Sequence, residues 1–148
     1  MNSQKNYFYF AGSPNGYHHL MPGALLAQGS APPPGMRIPF DVIVLAAKEY
    51  QPELPGYEVM HVPLDDGPPP DQETRARIRA AAHRIASHVR EGRRVLVTCW
   101  QGRNRSGVLA GLALVELGLP RDRTIRRIRT YRNGLTNPYF RSMVGGTL

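Results

Sequence analysis

The stretch Val95-Leu-Val-Thr98-Cys99-Trp100-Gln101-Gly102-Arg103-Asn104-Arg105-Ser106, continued by Gly107-Val-Leu-Ala-Gly-Leu-Ala-Leu-Val115, decides how this chain reads. A strand-like apolar run enters a glycine-bearing loop, and the loop exits into a segment that is apolar nearly all round. The order strand, loop, helix aims backbone N–H groups and the positive end of a helix dipole at one point, which makes an anion site. Cys99 stands at the foot of that site. Cations and helix N-termini favour the nucleophilic thiolate of a cysteine, so the residue reads as a nucleophile. Five residues separate Cys99 from Arg105, so the loop can curl round a tetrahedral anion while the planar guanidinium clamps two of its oxygens. Gly102 permits a backbone conformation that a Cβ resists, and the Ser106 hydroxyl can donate to the sulfur. Trp100, Gln101, Gly102, Arg103, Asn104 and Arg105 are the candidate phosphate-binding residues, with Cys99, Arg105 and Ser106 as candidate catalytic residues.

These residues resemble the His-Cys-x5-Arg-Ser/Thr signature of the cysteine-dependent protein tyrosine phosphatases, most closely their small dual-specificity branch. The match rests on Cys99, Gly102, Arg105 and Ser106, and Thr98 stands where the family has a histidine that orients the loop and supports the thiolate. The resemblance implies an α/β, three-layer fold with a central mixed sheet of about five strands flanked by helices. It also implies a metal-independent phosphomonoesterase without cofactors that works through a phospho-cysteine intermediate. Such chemistry needs an acid for the leaving oxygen. The family carries it on a mobile loop upstream of the cysteine, where this chain has His61-Val-Pro-Leu-Asp65-Asp66-Gly-Pro-Pro-Pro70. Similarity to the Pro-x-x-Asp form of that loop, and to the Asp-x-Pro-Pro of tensin-type lipid phosphatases, selects Asp66, with Asp65 as the alternative acid.

A phosphorylated protein is the first substrate class that the resemblance implies. A polyanionic substrate is the alternative, either a phosphoinositide or an RNA 5′ end. Arg103 lies in the loop where tensin-type lipid phosphatases carry a lysine, and Gly102 to Gly107 is similar to the Gly-x-Asn-Arg-Thr-Gly of RNA 5′-triphosphatases. A phosphate-binding module with decayed catalysis is the reading from outside the enzymes.

Bulk properties bound the rest. With 148 residues, 41% hydrophobic and 20% charged, residues 1–148 suit one catalytic domain, with 1–21 as an N-terminal extension packed on it. No twenty-residue apolar span occurs, and Met1 to Phe10 has no charged start followed by a leucine-rich stretch, so a cytoplasmic monomer is expected. The single cysteine excludes an internal disulfide and any cysteine-rich zinc framework. Net charge is +8, and much of the excess lies in Arg121-Asp-Arg-Thr-Ile-Arg-Arg-Ile-Arg-Thr-Tyr-Arg132. At helical spacing that segment turns Ile125, Ile128 and Tyr131 or Arg132 inward and leaves a basic face outside, solvated or held against a polyanion.

The remaining elements follow from periodicity and punctuation. Lys5 to Phe10 reads as an aromatic edge strand or hairpin arm, Gly12 to Gly23 as a loop, and Ala24 to Ala27 as a short strand. Asp41 to Ala46 has the continuous apolar pattern of a strand buried on both faces, and Tyr57 to Val62 leads into the acid loop. Asp71 is placed to cap a helix over Gln72 to Arg90, with Ile78, Ala82, Ile85 and Val89 on its apolar face. A helix from Ser106 to Leu117 and a last one over Asp122 to Tyr131 complete the alternation. His18 and His19 lie in a polar loop, and His83 and His88 are poorly spaced for a shared metal ligand.

Overall fold

The computed structural model describes residues 9–13 and 16–148. Five strands form one sheet in the order β1-β2-β5-β3-β4: β1 is Tyr17–His19, β2 Leu26–Ser30, β3 Val42–Ala47, β4 Glu58–Leu64 and β5 Val95–Cys99. The edge strand β1 runs antiparallel to β2, and the other neighbours are parallel, so the sheet is mixed as the resemblance implies. Among the described residues, four α-helices complete the α/β architecture: α1 is Gln72–Arg90, α2 Arg105–Glu116, α3 Arg121–Arg132 and α4 Pro138–Gly145. Among the described residues, no helix is long and apolar enough to cross a membrane.

The strand β3 is buried at all six positions, and its alternation divides the core. Val42, Val44 and Ala46 face a large cluster built with Ile78 and Ile85 of α1, Val108 and Leu109 of α2, Ile128 of α3 and Phe140 of α4. Ile43 and Leu45 face the other way, where Leu54 and the half-buried Tyr57 and Ile38 cover them. The helices therefore stack on one side and loop residues close the other. Buried apolar side chains supply the driving force at about 1.5–3 kcal/mol each, and α2 lies in the centre of that cluster because nearly every residue on it is apolar.

Helix α1 begins and ends where expected: Asp71 Oδ1 accepts from Thr74 N at 2.7 Å, and Gly92 follows in a left-handed turn at φ 77°. Four expectations are corrected. The first strand after the N-terminal segment is Leu26–Ser30 rather than Ala24–Ala27, because Pro22–Ala24 forms a short 3-10 turn that delays it. The supposed loop Gly12 to Gly23 contains β1, a three-residue strand held by its pairing with β2. Of the strand expected at Lys5 to Phe10, residues 5–8 lie outside the described residues, and Tyr9 and Phe10 are not in a strand. Tyr9 is instead buried and donates from its hydroxyl to Ser30 O at 2.6 Å. Finally, α3 is not the last helix, because α4 follows it; of the two residues that the spacing left open, Arg132 is buried with Ile128 and Tyr131 is exposed.

Candidate active site

Cys99 is the last residue of β5, buried between parallel neighbours, and Arg105 opens α2. The five residues between them form the loop that the sequence suggests. Gly102 sits at φ 68°, in the left-handed region open mainly to glycine. A Cβ there would lie 2.5 Å from Gly29 C and 2.6 Å from Arg132 Nη2, so the loop packs too closely for any other residue.

The loop is held from behind by its carbonyls. Gly102 O accepts from Gln28 Nε2 at 3.0 Å and from Arg132 Nε at 3.2 Å; Gln101 O accepts from Arg132 Nη2 at 3.1 Å. Arg132 also donates through Nη1 to Ser13 O and to His18 Nδ1, both at 3.0 Å, which ties β1 and the segment before it to the loop. Burial pulls the Arg132 guanidinium below its usual value, and burial followed by the Arg132 charge does the same to His18. His18 thus serves as a neutral acceptor, with its ring 6.2 Å from that of Tyr131.

At the front, Cys99 Sγ lies 3.3 Å from Ser106 Oγ. Arg105 is buried and its fork is gripped by Glu49, with Nη2 2.7 Å from Oε1 and Nη1 2.9 Å from Oε2, while Nη1 also donates to Leu64 O at 3.1 Å. Its Nε is buried without a partner. Burial alone would lower the Arg105 guanidinium. The hydrogen bonds to Glu49, and the Cys99, Glu49 and Asp66 charges, outweigh it and raise it. Reciprocally, hydrogen bonding from Arg105 holds the Glu49 carboxyl below its usual range.

No family model matches this sequence, and neither does any curated protein. The fold, however, is matched among solved structures. Human DUSP28 superposes with a TM-score of 0.75 at 23% identity, over 93% of this chain and 96% of that one. OH1, a tyrosine phosphatase from the Orf virus described as having triple substrate specificity, gives 0.62 at 22% identity, over 88% and 85%. The human tyrosine phosphatase-like serine/threonine/tyrosine-interacting protein gives 0.70 at 16%, over 88% and 93%. The chain has the dual-specificity phosphatase fold.

On that fold, the two candidate acids fall into different surroundings. Asp66 Oδ2 accepts from Asn104 Nδ2 at 3.0 Å and Oδ1 from Asn137 Nδ2 at 2.9 Å, which ties it to the loop between Cys99 and Arg105 and to the start of α4. Asp65 points elsewhere and pairs with Lys48 at 3.4 Å, with 68% of its side chain exposed. Asn104 completes the network by accepting from Thr136 Oγ1 and Asn137 N, and Asn137 Oδ1 caps α4 through Tyr139 N and Phe140 N.

Trp100 is 60% exposed and meets Tyr50 edge-to-face at 5.9 Å, so it forms rim rather than floor. Gln101 and Arg103 are also exposed, and the carbonyl of Arg103 accepts from Leu135 N. Thr98 is fully buried, and its hydroxyl donates to Val44 O at 2.7 Å, away from the loop. Among the other histidines, His83 pairs with Glu116 and His88 with Glu58. Sequence reasoning missed Glu49, Gln28 and Arg132 as parts of the site. Gln28 alone carried a signal, an amide in the middle of an otherwise apolar or small strand; Glu49 and Arg132 sit in ordinary charged surroundings and announce nothing.

Proposed function

We propose that residues 1–148 are one catalytic unit, a cysteine-dependent phosphomonoesterase of protein tyrosine or dual-specificity type. One observation carries the reading. Arg105 is buried beside Cys99 with its terminal nitrogens on Glu49 and its Nε donor unpaired, a fork pre-set for an oxyanion that neutral burial does not explain. In the first step the Cys99 sulfur attacks phosphorus, the bond from phosphorus to the leaving oxygen breaks, and Asp66 gives that oxygen its proton. In the second, water attacks the phospho-cysteine, Asp66 takes a proton from the water, and the P–S bond breaks with its electron pair on sulfur, releasing inorganic phosphate. Arg105 and the N–H groups of Trp100 to Arg105 carry the equatorial oxygens through both steps. The Asn104 and Asn137 contacts favour Asp66 over Asp65 as the acid. A mouse protein that superposes at a TM-score of 0.75 was crystallised with zinc tungstate, and tungstate has the tetrahedral shape this site would accept.

The protein should turn over an aryl phosphate with a chelator present. Cys99→Ser should remove turnover and keep tungstate binding; binding without turnover by the unaltered protein would make it a phosphate-recognition module instead. A phosphorylated protein is the favoured substrate. Exposed Arg103 at the rim, with Arg123, Arg126 and Arg129 exposed on α3, supports a more highly charged substrate as the second reading. Rates over phosphopeptides, phosphoinositides and triphosphorylated RNA separate the two, and the polyanion reading also requires KM to rise steeply with salt.

A further inference from the structure

We propose that Gln28 is a positioning residue for the nucleophile, aiming the Ser106 hydroxyl at Cys99 from the neighbouring strand. The inference rests on the phosphatase reading of the site. Gln28 is fully buried in the middle of β2, in register with Val97 of β5. Its Nε2 reaches Gly102 O at 3.0 Å, Ser106 Oγ at 3.1 Å and Arg103 O at 3.3 Å. The orientation of this amide follows from chemistry. Exchanging nitrogen and oxygen would press Oε1 against two carbonyl oxygens, so the NH2 group must face the loop.

A serine hydroxyl has one hydrogen and two lone pairs. With Gln28 donating into one lone pair of Ser106 Oγ, a protonated Cys99 donates into the other; once the sulfur is ionised, the Ser106 hydrogen turns to Cys99 Sγ, 3.3 Å away. Donation from Ser106 favours a negatively charged sulfur, both as the attacking group and as the leaving group when the P–S bond breaks. The Gln28 amide thereby acts on sulfur at one remove.

Two further observations separate this role from plain packing. Gln28 Oε1 is buried with no partner, so the residue keeps a costly unsatisfied acceptor that a leucine or methionine would avoid. In addition, Thr98, at the position that the family resemblance assigns to a loop-orienting histidine, spends its hydroxyl on Val44 O. Support for the sulfur from the residue before it is lacking, and strand β2 provides it across the sheet.

The test is a double-mutant cycle of Gln28→Leu and Ser106→Ala, read by the rate of Cys99 alkylation with iodoacetamide and by the pre-steady-state burst with p-nitrophenyl phosphate. Loss of one oriented hydrogen bond should slow alkylation about fivefold in Gln28→Leu. Phospho-cysteine breakdown should slow more than its formation, so that the burst grows. In the Ser106→Ala background the same change at Gln28 should have no more than about a twofold effect, because the two act through one hydroxyl. Gln28→Met, which keeps the length and lacks the donor, should repeat the result, and thermal melts of every variant identify any that fail to fold. Multiplicative effects of the two substitutions, or an unchanged alkylation rate in both Gln28 variants, would overturn the proposal and leave Gln28 as a brace for Gly102 O. If the unaltered protein hydrolyses no phosphomonoester while the alkylation cycle behaves as stated, the phosphatase reading fails and the positioning role stands.

Discussion

Removing Glu49 tests the site most directly, because it alters the grip on Arg105 without touching the loop. Both Glu49 oxygens contact the guanidinium, at 2.7 and 2.9 Å, and the Arg105 side chain is 10% exposed against 53% for Glu49. A hydrogen bond to a charged group contributes about 1.5–3 kcal/mol. Water reaches the carboxylate side of this pair, and Leu64 O stays with Arg105 in the variant, so the low end applies to the pair as a whole. Glu49→Ala should cost about 2 kcal/mol, which for a chain of this size corresponds to a melting shift of about 4–8 °C. The freed guanidinium also samples other rotamers, so KM for an aryl phosphate should rise about tenfold, the equivalent of about 1.4 kcal/mol, with a smaller fall in kcat. The sign of the pH effect follows from the lowered Glu49 carboxyl. The unfolded chain takes up a proton near the ordinary value of 4.5, while the folded chain resists protonation until the pH is lower. The contribution of Glu49 is therefore complete above that value and drains away as the pH falls through the folded value. Melts of wild type and Glu49→Ala at pH 7 should differ fully, and the gap should close on acidification. Equal melting temperatures and equal KM at pH 7 would refute the view that Glu49 holds the fork.

Gly102→Ala adds a side chain at φ 68° and presses its Cβ against the Gly29 backbone, so turnover should fall at least a hundredfold with a loss of stability of about 1–3 kcal/mol, checked by kinetics and calorimetry. Asp66→Asn should slow phenyl phosphate about 10²–10⁴-fold and an activated aryl phosphate much less, whereas Asp65→Asn should leave that ratio unchanged. Asp71→Ala removes the cap on Thr74 N and should lower stability by about 1 kcal/mol, a shift of about 2–4 °C, with kcat/KM unaltered.

Helix α1 was legible down to its cap because its apolar positions recur at helical spacing and Asp71 and Gly92 punctuate its ends. Strand β3 was equally plain, since a six-residue apolar run has few alternatives inside a folded chain. The short elements escaped. Tyr17–His19 is a strand only because β2 offers it a partner, and Pro138–Gly145 is eight residues long, with Asn137-Pro138 as its one clear local signal. The loop from Cys99 to Ser106 was readable because its chemistry is contiguous. Its supports were not: Glu49 meets Arg105 across 56 positions and leaves no local pattern, and Gln28 meets Ser106 across 78, so its place in an apolar strand marks it as unusual without naming its partner. Thr98 was rightly singled out as a departure, but its partner, Val44 O, could be found only in the folded sheet.

Arg132 also has a consequence for the order in which the molecule is made. It joins Gln101 and Gly102 to Ser13 and His18, over separations of 31, 30, 119 and 114 positions. On the ribosome, Cys99 and the rest of its loop emerge well before the residue that braces them. Contacts of such long range form late, because chain entropy must be lost before they return anything. Until Arg132 has cleared the exit tunnel the nascent chain can carry its cysteine but not a braced loop around it, so the loop is braced only as α3 docks.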